Sequence, residues 1–129
     1  MNHCAKWGAN FEGKIVSYFW AHGFAAMRAA GSGTTSYPVP DVIAVKGGRV
    51  ILVECKATKK DRLSLKDNML ELKKFADISC AEAYIAMKFY KKEPRFYGLD
   101  IQLAKGNYTI TENDPFMSLD QMLSEQKTL

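Results

Sequence analysis

Cysteine is scarce in this chain: Cys4, Cys55 and Cys80 are three among 129 residues, odd in number and widely scattered. They fit neither a disulfide framework nor a zinc signature, and they read as reduced thiols in a reducing compartment. Histidine is scarcer still. His3 and His22 offer no pair at ligand spacing, and His22 reads as a helix-end or core residue with no catalytic role. No apolar run approaches the roughly 20 residues of a membrane span. The stretch from Met1 to Gly8 lacks the apolar core of a secretion signal, so the chain is expected to be intracellular. Gly-rich phosphate loops of the Walker or dinucleotide type are also missing.

What remains is the composition of an ordinary globular protein, with 47% hydrophobic and 25% charged residues. Its length suits a single domain over residues 1–129, large enough to bury most of its apolar surface without staples. The net charge of +4 conceals an asymmetry. Residues 1–99 carry sixteen Lys/Arg against nine Asp/Glu, whereas residues 100–129 carry two against five. A basic body with an acidic end suits a polyanionic partner, nucleic acid first, although a solvated basic surface would look the same.

Phe11, Ile15, Tyr18, Phe19 and His22 recur at helical spacing with Gly23 as a stop, which predicts a helix near 9–22. Phe24 to Ala29 reads as a short strand, and Gly31 to Ser36 as a polar loop closed by Pro38 and Pro40. Asp41 to Val45, the Lys46-Gly47-Gly48 turn and Arg49 to Lys56 have the spacing of a β-hairpin, apolar on both faces as in the middle of a covered sheet. Ser64-Leu65-Lys66-Asp67 resembles a capping box opening a helix near 65–78. Strands are expected at 83–89, 95–99 and 107–111, and an amphipathic helix at 118–126. The fold class is therefore α/β: one domain with a central mixed sheet flanked by helices.

Within the hairpin stand three ionisable residues, Asp41, Glu54 and Lys56. Ionised groups in apolar strands are costly unless a partner or a metal compensates them. Residues i and i+2 of a strand share a face, so Glu54 and Lys56 point together while Val53 and Cys55 point away. Asp41 begins the neighbouring strand and can meet Glu54. Two converging carboxylates are hard oxygen ligands of the kind Mg²⁺ and Mn²⁺ use, and a Lys beside them can hold a water or neutralise a phosphate. A buried Asp/Glu–Lys salt-bridge network is the structural alternative.

Glu12, at the edge of the first helix's apolar stripe, could add a third carboxylate if that helix packs over the same sheet end. Arg28 enters the Gly-Ser-Gly loop, where it can clamp a phosphate while Ser32 approaches a sugar-phosphate chain. Lys59, Lys60 and Arg62, with Lys88, Lys91, Lys92 and Arg95 as a second group, would form a DNA track beside such a site. Trp20 lies opposite the main stripe and reads as a packing or interface residue.

Pro40-Asp41…Glu54-Cys55-Lys56 resembles the Pro-Asp…(Asp/Glu)-X-Lys signature of restriction-endonuclease-like nucleases. The wider series is sharper: Glu12, Gly23-Phe24, Arg28 to Gly33, Pro40 to Ala44, Val53 to Lys56, Glu71-Leu72…Phe75 and Ala86 to Phe89 occur in order. Over roughly residues 6–97 the chain resembles archaeal-type Holliday junction resolvases. Where that family commonly has Arg after its helical Glu, this chain has Gly13 and Lys14, and no motif matches beyond residue 100.

The resemblance implies a homodimeric, Mg²⁺-dependent endonuclease that cuts paired strands of a four-way DNA junction, in recombination and repair. It makes Glu12, Asp41 and Glu54 metal-site carboxylates, with the Cys55 backbone carbonyl as a further ligand. Lys56 becomes the catalytic lysine, Ser32 part of the catalytic loop and Arg28 a DNA or active-site contact. A different repair nuclease of this fold, or a non-catalytic DNA-architectural protein, would share much of the pattern.

Overall fold

The computed structural model describes residues 3–29 and 36–124, with side chains from Asn10 onward. Ser32 thus lies outside the described residues. The first element is helix α1 (His3–Ala21). It starts earlier than the expected 9, because the apolar periodicity that marks it begins only at Phe11. Phe11, Ile15 and Phe19, four apart, are its buried stripe. Full burial of each such side chain contributes about 1.5–3 kcal/mol. A paired Schellman closure ends the helix: Gly23 N–H donates to Trp20 O (3.2 Å) and Phe24 N–H to Phe19 O (3.0 Å). Gly23 has φ +86°, and the Phe19 and Phe24 rings meet at 5.5 Å across the turn.

Strands β1 (Ala25–Arg28), β2 (Val42–Lys46), β3 (Arg49–Thr58), β5 (Glu82–Phe89) and β6 (Arg95–Gly98) form one sheet in the order β1-β2-β3-β5-β6. β3 and β5 run parallel, and every other neighbouring pair is antiparallel. A parallel pair needs a crossover, which here contains β4 (Arg62–Ser64) and helix α2 (Lys66–Ser79). Short helix α3 (Leu99–Lys105), strand β7 (Thr109–Thr111) and helix α4 (Leu119–Ser124) complete the chain, with β4 and β7 paired as a ribbon.

The sheet is covered on both faces, so its central strands are apolar on either side over residues 50–53 and 83–87. Val42, Ala44, Ile51, Val53, Cys55 and Ala86 pack with Phe11, Ile15 and Phe19 of α1 and Met122 of α4. Leu52, Ile85 and Met87 pack on the other side with Met69 and Leu72 of α2, Leu99 of α3 and Ile110 of β7. Arg49 fastens the first layer: its guanidinium grips Glu82 through two bonds (2.6 and 2.9 Å) and donates to Leu123 O (3.0 Å).

The structure departs from expectation at two points. The capping box does not form at Ser64–Asp67: Leu65 is the N-cap of α2 without a side-chain bond, and Ser64 Oγ pairs with Thr109 Oγ1 at 3.0 Å instead. The ribbon claims that serine. A reciprocal box occurs at the last helix, where Gln121 N–H donates to Ser118 Oγ (3.2 Å) and Ser118 N–H to Gln121 Oε1 (2.9 Å). Helix α3 and strand β4 were not anticipated, being too short for a periodic signal. Of the two readings of His22 the helix end holds: it directly follows α1, is exposed, and its Nδ1 lies 2.9 Å from Tyr18 O. Trp20, 59% exposed, donates Nε1–H to Ala26 O at 2.8 Å.

The β2–β3 hairpin turns through Gly47 (φ +50°) and Gly48 (φ +84°), the positive angles that a two-residue turn matched to strand twist requires. A Cβ on Gly48 would meet nothing within 4 Å, so only the backbone conformation resists a side chain. Gly48→Ala is expected to lower stability by about 1–2 kcal/mol, seen as a reduced denaturant midpoint with unchanged slope. An unchanged midpoint would show that the turn does not need glycine there.

Candidate active site

Pairing of Val42 with Val53 fixes the neighbours just beyond: Asp41 lies across from Glu54. Alternation keeps both on one face, while Val53 and Cys55 enter the core beneath α1. The Asp41 backbone carbonyl accepts from Ala29 N–H (2.9 Å), extending the β1–β2 ladder, and its Oδ2 accepts from Cys55 N–H (2.8 Å). Asp41 is therefore pinned by main-chain groups on both sides. Asp41 and Glu54 are 7% and 9% exposed.

Their carboxyl groups hydrogen-bond to each other, and this shapes the ionisation of Glu54. Burial first, then the hydrogen bond to Asp41 and its negative charge, push Glu54 up to about 9, against the pull of Lys56. Glu54 thus favours its protonated form at neutral pH, facing the Asp41 carboxyl group. Burial likewise pushes the Cys55 thiol well above its usual range, so it is no thiolate ligand, and only its backbone faces the carboxylates.

Glu12 reaches the same end of the sheet from α1. Burial raises its pKa, the hydrogen bond from Arg28 opposes this, and the charges of Asp41 and Lys56 act on it as well. Arg28 Nε donates to Glu12 Oε2 at 2.5 Å. This ion pair was not anticipated, since nothing in a 16-residue separation announces it. Glu12, Asp41, Glu54 and Lys56 are brought together, with Arg28 engaged by Glu12. Among the described residues, however, no three His, Cys, Asp or Glu groups form a ready-made metal cage.

The end where β3 and β5 finish carries the basic residues. Lys59, Lys60 and Arg62 are exposed, Arg62 beside Asp61 at 3.3 Å. Lys88 lies on the opposite face from Glu54 and Lys56, lining a groove of about 470 Å³ with Lys14 of α1, and its Nζ donates to Lys92 O. Lys14 is a further basic residue facing that groove, recognisable in advance only as a departure from a family pattern.

Sheet and side chains together have the layout of a restriction-endonuclease-like nuclease. A family model described as archaeal Holliday junction resolvase (Hjc) matches residues 3–129, and the chain belongs to that family. It is 36% identical over 108 residues to the crossover junction endodeoxyribonuclease Hjc of Archaeoglobus fulgidus, covering 82% of this chain and 79% of that protein. To the Methanocaldococcus jannaschii protein of the same description it is 30% identical over 122 residues, covering 93% and 87%. The solved structure of Archaeoglobus fulgidus Hjc, described as a Holliday junction resolvase from an archaeal hyperthermophile, superposes with TM-score 0.78. Identity there is 32%, over 88% of this chain and 96% of that one.

The raised Glu54 pKa has a consequence for stability. Between the ordinary glutamate value of 4.5 and about 9 the folded protein keeps a proton that the unfolded chain has lost. Unfolding free energy therefore falls as pH rises through this window, by up to about 1.4 kcal/mol per pH unit. In thermal unfolding with chelator from pH 5 to 8.5, Glu54→Gln should show a flatter dependence than the wild type. Parallel curves would show that Glu54 is already ionised.

Proposed function

We propose that this chain is a divalent-cation-dependent endonuclease that hydrolyses phosphodiester bonds in paired strands of four-way DNA junctions, acting inside the cell in recombination and repair. The observation that carries this reading is the buried pair Asp41 and Glu54, set across from each other beside Lys56. Two carboxyl groups aimed at one point suit a hard cation, Mg²⁺ or Mn²⁺, in place of the Glu54 proton. Asp41, Glu54 and the Cys55 carbonyl would hold it, with Glu12 completing the negative side. When bound, the cation supplies Lewis acidity and neutralises charge developing on the phosphate.

The chain's own residues do the rest. Lys56 holds the attacking water or a phosphate oxygen by a hydrogen bond from Nζ. Water attacks phosphorus and gives up a proton to solvent, the P–O bond to the leaving oxygen breaks, and that oxygen takes up a proton from solvent water. Arg28, Ser32, Lys59, Lys60, Arg62 and Lys88 position the sugar-phosphate backbone. The whole chain acts as one nuclease domain, and two copies form an isologous homodimer whose two-fold axis matches that of the junction, one site per strand.

The test is a Mg²⁺ cleavage assay on a four-way junction, linear duplex, splayed-arm and nicked DNA of matched sequence. Preferential scission of the junction is expected. Asp41→Asn keeps an acceptor for the Cys55 N–H, so it tests charge and not folding. It, Glu54→Gln and Lys56→Ala should each slow cutting by about 10²-fold or more while junction affinity stays within about threefold. A Lys56→Ala protein that cuts at the normal rate would overturn the assignment.

A further inference from the structure

Beyond the carboxylate site, the same end of the sheet presents an aromatic ring among lysines. Tyr90 directly follows β5 and is 50% exposed, whereas Phe89 before it is fully buried. Its N–H donates to Thr58 O at 3.0 Å, which ties it to the end of β3. Lys59 Nζ lies 5.6 Å and Lys91 Nζ 5.5 Å from the ring centroid. The turn carrying the ring is built firmly: Lys92 N–H donates to Phe89 O (2.9 Å), Lys88 Nζ reaches Lys92 O, and Lys91 takes a left-handed φ of +62°. The facing turn is tied by Lys60 N–H to Thr58 Oγ1 (3.0 Å). An exposed aromatic on two braced turns is pre-organised and loses little freedom on binding.

We propose that Tyr90 is a base-stacking platform that engages an exposed base at the branch point and so helps the enzyme prefer junctions to continuous duplex. The proposal rests on the nuclease reading above. With about 3.3 Å per strand residue, the Thr58–Tyr90 level lies roughly 10 Å or less beyond Lys56, within reach of nucleotides flanking the reacting phosphate. In continuous duplex both faces of each base pair are covered, so the ring finds nothing to stack on. At a branch point strand exchange interrupts the stack and uncovers base faces. Stacking on an aromatic ring tolerates any sequence, since every base has a π-face. Lys59 and Lys91 then leave the ring for phosphates, where each releases counterions.

The test uses the full chain in chelator, so that no strand is cut, with a four-way junction and a linear duplex of matched sequence and 2-aminopurine beside the branch point. Tyr90→Leu keeps apolar bulk without the ring. It should weaken junction binding roughly tenfold, leave duplex binding within twofold, and abolish the fluorescence change seen with wild type. Tyr90→Phe should behave as wild type. Equal loss on both DNAs, or loss on neither, would overturn the platform and leave a purely electrostatic patch. Absence of junction preference in the wild type would instead overturn the functional reading, and the platform with it.

Discussion

The antiparallel register of β2 on β3, which sets Val42 against Val53 and therefore Asp41 against Glu54, is the constraint on which the rest of the site depends. A slip of one residue would turn every side chain of one strand to the opposite face. Asp41 would then leave Glu54 for the α1 layer, and Val42 would surface among charges. Two features hold the register at opposite ends of the hairpin. The Gly47-Gly48 turn sets the pairing at one end, and the Cys55 N–H bound to the Asp41 carboxylate locks it at the other. The second lock is made by a residue of the site itself.

That arrangement has an energetic cost confined to a few side chains. Two carboxyl groups are withdrawn from water and pressed together, and without a cation a proton keeps them compatible. The surrounding fold is built to bear this. The strands are clamped between two apolar layers, and Arg49 joins β3, β5 and α4 through a bidentate bond to Glu82 and a bond to Leu123 O. Cores of this kind are stiff, so the carboxylates cannot relax apart without disturbing several neighbours.

Much of this was legible in the sequence because strand alternation is strict. The period of two put Glu54 and Lys56 on one face, and a Gly-Gly turn between apolar runs indicated Asp41 as their neighbour. Helix α1's buried stripe and Gly23 stop were equally readable. What escaped depends on distant competition. Ser64 has the local credentials of a cap, yet Thr109, 45 residues away, takes its hydroxyl. Glu12 and Arg28 each looked available for a ligand of its own, and only the packing of α1 against β1 makes them partners. Short elements such as α3 and β4 carry too few residues for any period to emerge.

The pairing of Glu12 with Arg28 also bears on how a nucleic acid could approach three acidic residues. Left alone, Glu12, Asp41 and Glu54 would repel a phosphate. Arg28 and Lys56 offset two of those charges, and the raised pKa of Glu54 removes the third. The cluster is then close to neutral beside the lysines at the end of β3 and β5, so the basic surroundings set the long-range attraction. On the proposed reading, exchanging the Glu54 proton for a divalent cation leaves a surplus positive charge at the point where the phosphate must sit. An ionised Glu54 without a cation would work against substrate, whereas a protonated one merely waits. The raised pKa that destabilises the ionised site is thus consistent with a site that becomes attractive to DNA when the cation arrives.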